Sequence, residues 1–566
     1  MPPREGSLSR TEKSFTLIGV LLGLLLAALD QTIVATAGPA IQVDLGLEPS
    51  HYPWLTTAYM VASTVMMPIY GKLSDLFGRR RILMIGIGVF LLGSLLCGIA
   101  RSPLQLILSR GVQGLGTAAL FTSAFAVIAD LFEPAERGKY QGLLSSMFAL
   151  SSVIGPLIGG FITDVFGWHW VFFVNLPLGA LALAVIAWKM PALRARLERR
   201  PRIDFAGAGA LVLAVVPFLL ALSLGRGSDS PSGSGWPWGS WPIAGLFAAS
   251  AIGAVAFLLV ERHAAEPLID LRLFRNRTFA VGNAASFVLG ATFFGAIVFL
   301  PLFMVNVVEL SVTRSGLSLI PLTLGIVSGN ILSGQIVARL GRYRTLALVA
   351  LVLNAVGFAV MGFTLRSDST AAEVTVKMIL LGLGIGPFIP LFTLIIQNAV
   401  DARDVGVATA SATFSRALGG TVGLAVFGTI FGATLATQLG TRLPAASADL
   451  PPPLRAELSV GTQPIAGSAQ EGGGRMFPAE EVKARVQRYL EDHPGEADAA
   501  AALSAVDRMD RAFRAAFTVA IRAGFHVGLV LGLLGLALTF LLPDLPLRRA
   551  PSPRVSAPEA EATSGP

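Results

Sequence analysis

The chain has 566 residues, of which 53% are hydrophobic and only 14% charged, with 61 Gly, one Cys and a mean hydropathy of +0.68. Soluble domains carry about 25% charged residues, so this composition excludes an ordinary water-soluble globular protein. The 43 Lys and Arg against 35 Asp and Glu leave a formal charge of +8, which in so apolar a chain points to basic loops on one membrane face rather than to a nucleic-acid partner.

A helix crossing about 30 Å of hydrocarbon needs roughly 20 apolar residues. About fourteen such stretches are legible, near 15–37, 53–71, 81–100, 104–130, 140–163, 169–188, 204–224, 241–261, 278–306, 315–337, 343–365, 374–399, 406–436 and 517–542. Basic residues crowd every second connection, from Arg10 and Lys13 through Lys72, Arg79, Arg80 and Arg81 to Arg548 and Arg549. They total about 26, against roughly five in the intervening short connections, which predicts both termini in the cytoplasm and a multi-pass protein of the cell membrane. The first span has the look of a signal peptide, with Ala35-Thr36-Ala37 as a small-residue site, but the strict alternation of the later loops requires it to be retained.

Inside that first span lies Asp30. It follows some 15 apolar residues, which places it on the order of 20 Å into the bilayer. Ionising a carboxylate there costs several kcal/mol unless it is paired or hydrated, so it suits a group that takes a proton from one side and gives it to the other. An acid capping the outer end of the helix is the alternative. Gln31 follows it as a polar candidate for the cavity. The fourth span contains Arg110 and Gln113. A buried guanidinium does not deprotonate, so Arg110 needs acceptors, either Asp30 or backbone carbonyls. The fifth span contains Gly155, Pro156, Gly159 and Gly160: the proline removes a helix hydrogen bond and the glycines offer a close-packing face. Later spans carry Gln397 and Arg416, the latter either lining a cavity or making a structural bond.

Between these spans, the segment from Gly225 to Trp241 reads as a short outer loop with interfacial tryptophans, and 437–516 as a long outer loop. Within the long loop, Pro478 to His493 and Glu496 to Phe517 read as two helices whose alternating charges predict a solvated hairpin. The tail over 543–566 is Pro/Ser/Glu-rich and is expected to be disordered.

One pattern occurs twice. The turn after the second span runs Gly71, Asp75, Gly78, Arg79, Arg81, and the turn after the tenth runs Gly334, Ala338, Gly341, Arg342, Arg344. The shared Gly and Arg positions indicate two homologous halves, the arrangement of transporters in which one bundle rocks against the other. With six spans per half, two are left over in the middle.

On these residues the chain resembles the major facilitator superfamily, in particular its fourteen-span drug:proton antiporter branch. The likeness covers nearly the whole chain: Leu29-Asp30-Gln31-Thr32-Ile33-Val34, the Gly71–Arg81 turn, Arg110 to Gly116, Ser151 to Gly160, and Trp168 to Gly179. Departures are Gly38 where a Leu is usual before Pro39, Ser151 where the antiporter motif begins with Gly, and Ala338 in place of a second Asp75. The resemblance implies an all-α integral membrane fold of two six-helix bundles with two extra central helices. The expected organisation is a cytoplasmic N-terminus over 1–14, a bundle over 15–190, two linker helices over 191–277, a second bundle over 278–542 holding the outer loop 437–516, and the cytoplasmic tail.

It further implies that Asp30 and Arg110 couple protons, and that Gly71, Asp75, Gly78, Arg79 and Arg80 form a one-sided cytoplasmic latch with Asp130 as acid partner. The glycines and Pro156 of the fifth span would be the antiporter motif, and Gln31, Gln113, Gln397 and Arg416 would face the cavity. The expected activity is export of amphiphilic small molecules in exchange for protons. No enzymatic chemistry is expected: the five His residues lack metal-ligand spacing and no Walker A sequence is present, so neither metal nor cofactor is implied and the proton gradient is the driving force. Besides protons, substrate and lipid, an envelope partner could meet 437–516. With Asp30 the one acid well inside a span and Arg110 and Arg416 both buried, the substrate leans toward neutral, zwitterionic or anionic amphiphiles. Two other readings stay open, a dedicated exporter of an endogenous lipid, siderophore or metabolite, and a non-transporting membrane receptor or scaffold.

Overall fold

A computed structural model describes residues 9–47, 54–191, 204–226, 236–310, 318–340, 342–401, 404–453, 455, 476–477, 479–493 and 498–543. Gly341 of the second turn, Arg403, Pro478, Pro494, Gly495 and the tail from residue 544 lie outside the described residues, as do residues 1–8 of the N-terminal segment and 227–235 of the tryptophan loop.

The first half is built from α1 (Arg10–Asp44), α2 (Trp54–Phe77), α3 (Arg79–Gly98), α4 (Pro103–Leu131), α5 (Pro134–Phe166), the single turn α6 (Trp170–Phe173) and α7 (Asn175–Lys189). Two further helices follow, α8 (Phe205–Leu224) and α9 (Trp241–His263). The second half comprises α10 (Arg277–Asn306), α11 (Ile320–Leu340), α12 (Arg344–Thr364), α13 (Ala371–Ile385), α14 (Phe388–Asn398), α15 (Val405–Ala446), α16 (Ala479–Asp492) and α17 (Ala499–Phe540). Among the described residues, 13 helical stretches are long and apolar enough to cross a membrane, with α13 and α14 counted as one. The helix α2, 24 residues long but interrupted by Thr, Ser, Lys and Asp, completes a bundle of about fourteen.

Local chemistry fixes the helix starts. Ser102 accepts from the Gln105 amide with Pro103 in the first turn of α4, Asp204 caps α8 through the Gly207 amide, and Asn276 caps α10 through the Thr278 and Phe279 amides. Gly78, at φ +92°, makes the reversal between α2 and α3 that a side chain would resist. Because lipid gives helices no hydrophobic reason to associate, small residues carry the packing. A Cβ on Gly114 would come within 2.4 Å of the Tyr59 carbonyl oxygen, and one on Gly116 within 2.4 Å of the Phe90 nitrogen, so α4 is seated tightly against α2 and α3.

The two halves meet along α5 with α11 and α2 with α15. The repeated turn shows the same arrangement in each: a Cβ on Gly71 of α2 would lie 2.2 Å from the Ala410 methyl of α15, and one on Gly334 of α11 would lie 2.5 Å from the Gly138 carbonyl oxygen of α5. The extra pair α8 and α9 pack on each other, and Leu211, Val215 and Leu219 of α8 join Val61, Val65 and Ile69 of α2, with Phe414 and Leu418 of α15 alongside. This places α8 at the seam between the halves.

The outer loop departs from expectation. Its second helix is not separate: α17 runs unbroken through 42 residues, and α15 is equally long. At 1.5 Å per residue each reaches about 63 Å, roughly twice the hydrocarbon thickness, so both project beyond it. Nor is the hairpin solvated on all sides. Val482 and Val486 of α16 and Ala502, Ala505, Val506, Met509 and Phe513 of α17 are buried together with Phe477, in register with the helical repeat, while the charges occupy the other faces.

Candidate functional site

Asp30 sits at the centre of the first half with no solvent exposure. One carboxylate oxygen accepts from the Arg110 guanidinium at 2.6 Å, and the other accepts from the Gln113 amide at 2.7 Å and the Asn175 amide at 2.9 Å. Arg110, 2% exposed, also donates to the Leu55 carbonyl at 3.1 Å and to Gln113 Oε1 at 2.6 Å, and its guanidinium carbon lies 4.2 Å from the centroid of the Tyr59 ring. The two alternatives for Arg110 are therefore both met: it holds an acid and a carbonyl at once. Around this pair, Ser94 receives the Asn175 amide at 3.0 Å and donates to the Phe172 carbonyl at 2.8 Å, and Thr117 donates to the Tyr59 hydroxyl at 2.9 Å. Gln31 is half-buried.

Tyr59, Ser94 and Asn175 were not singled out from the sequence as site residues. Each is a polar group in or at the end of an apolar span, the signal that identified Asp30, but without a charge to set it apart. The arrangement is an acid with both carboxylate oxygens answered by donors, three in all, inside a protein core where breaking one partner of a buried ion pair costs about 3–5 kcal/mol.

Thr32, two residues beyond Asp30, ties α1 to α5. Its hydroxyl donates to the Ser151 carbonyl at 3.0 Å. A Cβ on Gly155 would fall 2.0 Å from Thr32 Oγ1, and one on Gly159 would fall 2.2 Å from Thr36 Oγ1, so these two glycines are the α5 face on which α1 rests. Gly160 does not share that face; nothing lies within 4 Å of its would-be Cβ. Pro156 is half-buried within the unbroken run of α5.

The Gly71–Arg81 turn is an interlocked cluster. Arg79, 6% exposed, bonds Asp75 at 2.5 Å, Asp130 at 2.8 Å and the Ser74 hydroxyl at 3.1 Å. Asp75 lies against the first turn of α15, where a Cβ on Gly406 would be 1.9 Å from its Oδ1, so the acid faces the positive end of a helix of the opposite half. Arg80 is not part of this cluster: it turns away and donates to the Ala187 carbonyl at the end of α7. Gln141 donates to Gln397 at 3.0 Å across the halves, and Gln397 donates to Thr409 at 2.9 Å. Gln397, expected at the cavity, is thus 2% exposed and spent on joining the halves; Gln113, likewise expected there, is spent on Asp30 and Ser94. Both amides are consumed because a buried amide in an apolar bundle is held by the polar side chains beside it.

Arg416 does line a cavity, with Ser286, Phe293, Phe388 and Phe392 among the other walls, and its guanidinium carbon lies 5.8 Å from the centroid of the Phe125 ring of the first half.

Comparison with known proteins agrees with this architecture. The family model of the Major Facilitator Superfamily matches residues 20–424. A Bacillus subtilis (strain 168) protein named multidrug transporter protein MdtP is 38% identical over 441 residues, covering 78% of this chain and 79% of its own. Multidrug resistance protein 3 of the same organism is 40% identical over 417 residues, covering 74% of this chain and 79% of its own. Among solved structures, the proton:xylose symporter XylE bound to 6-bromo-6-deoxy-D-glucose superposes with a TM-score of 0.55 at 12% identity, over 86% of this chain and 97% of that one.

Proposed function

Because the chain belongs to the Major Facilitator Superfamily, and is an integral multi-pass transport protein rather than an enzyme, we propose that it exports amphiphilic small molecules across the cell membrane in exchange for protons. The observation that carries the proton half of this reading is the Asp30–Arg110 pair, buried at 2.6 Å and ringed by Gln113 and Asn175. The export half is supported by likeness to two proteins named for multidrug transport and resistance.

With both termini in the cytoplasm, the Gly71–Arg81 turn faces inward and the bonded cluster of Arg79, Asp75 and Asp130 holds the cytoplasmic side closed. A proton arriving from outside neutralises Asp30 and frees Arg110 from its carboxylate. The resulting shift of α1 reaches the opposite half through Thr32 and α5, since α5 is the helix that packs on α11. A ligand-dependent bias of this kind is sufficient to move an equilibrium between two access states. The membrane potential adds about 2.3 kcal/mol per charge per 100 mV.

The test uses purified protein in liposomes loaded with a pH dye. Addition of an amphiphilic drug should evoke proton movement in the wild type and none with Asp30→Asn. Equal proton movement in both would overturn the assignment of Asp30, and none in either would overturn antiport.

A further inference from the structure

The two central helices bring a pair of acids together over one glycine. Asp204, half-buried, stands at the start of α8, and its Oδ1 accepts from the Gly207 amide at 2.7 Å. Glu261, in the last turn of α9, is 4% exposed, and its Oε1 accepts from the Leu268 amide at 3.2 Å. Gly207 lies between them: a Cβ there would fall 2.3 Å from Asp204 Oδ2 and 3.0 Å from Glu261 Oε1. Asp204 Oδ2 and Glu261 Oε2 are both shut off from solvent, and among the described residues neither has a hydrogen-bond partner.

Two carboxylates this near each other in a buried site do not both stay ionised, and a carboxylate oxygen without a donor is costly there. The surrounding charges do not supply the donor. Lys72 of α2 acts on Glu261 at longer range and pairs with Glu266 at 3.5 Å, while Asp75 of the same helix is bonded to Arg79. Asp270 is bonded to Arg272 at 3.1 Å, and Asp404 at the start of α15 acts on that same arginine. Within its length α8 has no charged residue. Arg262 and His263 of α9 are exposed, and His263 bonds its own helix at the Leu259 carbonyl at 2.9 Å.

The pair holds the segment that follows α9. Through the Leu268 amide, Glu261 folds this segment back, and Leu268 and Ile269, 2% and 6% exposed, join the apolar cluster of Ile69 of α2 and Leu211 of α8. The Lys72–Glu266 pair ties the same segment to α2 next to Gly71.

We propose that Asp204 and Glu261 hold a single proton between them, and that this proton fastens the segment after α9 onto α2 beside the Gly71–Arg81 turn. The protonated acid donates its O–H to the facing carboxylate, so one proton serves both unanswered oxygens. On the orientation proposed above, the proton exchanges with the cytoplasm. As that side turns alkaline the proton passes to water, two like charges are left face to face, and the segment loosens. Because opening releases the proton, each unit of rising pH favours the open form by about tenfold until the closed form has lost its proton too. This site is separate from Asp30 and stands whether or not Asp30 couples protons.

Hydrogen–deuterium exchange of the full-length protein in nanodiscs reads the segment directly, as the protection of the amides over 264–270 relative to their unstructured rates at each pH. Between about pH 5.5 and 8.5 the wild type should lose protection by about tenfold or more. Glu261→Gln and Asp204→Asn each put a permanent amide donor opposite the other acid and should lose it by less than about threefold over the same range. Infrared difference spectra should show a protonated-carboxyl component that each of these substitutions removes and Asp30→Asn does not. A wild type whose protection is flat with pH, the same pH dependence in the variants, a carboxyl component lost with only one of the two acids, or a dependence abolished by His263→Gln would each overturn the proposal. Should one variant fail to fold, the other decides by the same two readouts.

Discussion

The Thr32 hydroxyl donates to the Ser151 carbonyl at 3.0 Å, and the space beside it is kept open by Gly155, whose would-be Cβ falls 2.0 Å from the same oxygen. This contact connects the helix bearing Asp30 to the helix that packs on the second half. Gly155→Ala should therefore destabilise the protein by about 1–3 kcal/mol through overpacking. Combining it with Thr32→Ala removes the obstructing hydroxyl but leaves the residue-32 Cβ 2.6 Å from the added methyl, and should recover only part of the loss. Thermal unfolding of the two single variants and the pair forms the cycle that checks this, and simple additivity would show that the two residues do not press on one another.

Asp30 has three side-chain donors, but only Arg110 carries charge. Removing the acid leaves a buried, unpaired cation, whereas removing Asn175 leaves the ion pair in place with one donor fewer. Drug-evoked proton flux should fall at least tenfold in Asp30→Asn and only about two- to fivefold in Asn175→Ala. Flux measured in liposomes at matched protein incorporation distinguishes the two, and an Asn175→Ala defect as deep as that of Asp30→Asn would place the essential element in the network rather than in the acid.

Arg79 and Arg80 are adjacent and identical in type, yet the first bonds two acids in a buried cluster and the second reaches a carbonyl at the surface. Exposed contacts contribute little, while a buried charge left without its partners is expensive. Arg79→Gln and Asp130→Asn should each lower the initial transport rate in everted vesicles by about tenfold or more, and Arg80→Gln should remain within about threefold. Equal losses at positions 79 and 80 would mean that the turn acts through its total charge.

The legible part of this protein is the part written in apolar periodicity and in isolated charges. The spans emerged because bilayer thickness fixes helix length, and Asp30 and Arg110 stood out because a charge in an apolar run needs a partner, whereas Arg79 and Asp130 came with the family resemblance of the Gly71–Arg81 turn. What stayed hidden depends on orientation around a helix. Tyr59, Ser94 and Asn175 are ordinary polar residues until the crossing of α2, α3, α4 and α7 gathers them around the Asp30–Arg110 pair, Asn175 on the carboxylate, Ser94 behind Asn175 and the Tyr59 ring against the guanidinium. Gln113 and Gln397 read as cavity residues for the same reason, and Gly160 read as part of the glycine face, because spacing alone does not say which side of α4, α14 or α5 meets a neighbour. The outer hairpin misled in a different way: its charge pattern dominates the composition, whereas its buried valines, alanines and phenylalanines decide where it sits.

That hairpin supports a last prediction. Val486 has no solvent exposure, and α16 is joined to α17 by Lys483, which bonds Asp507 at 2.8 Å and Glu480 at 3.3 Å. These acids raise the Lys483 ammonium above the ordinary lysine range, Asp507 foremost. A cation whose folded value is raised contributes stability that is fully present below its unfolded value, near 10.4, and is lost as pH climbs through the raised one. Docking of α16 should therefore be flat between pH 6 and about 9 and weaken only in strongly alkaline solution, and because the ion pair is exposed, Lys483→Met should have a small effect. Val486→Asp places a charge among Val506, Met509 and Phe513 and should release α16 from α17. Limited proteolysis across this pH range reports the release as faster cleavage, while drug efflux should stay within about twofold of the wild type if the cap is structural only. Loss of efflux in Val486→Asp with the membrane bundle intact would instead assign the cap a part in moving the cargo, as a dedicated exporter with a loop-dependent substrate requires.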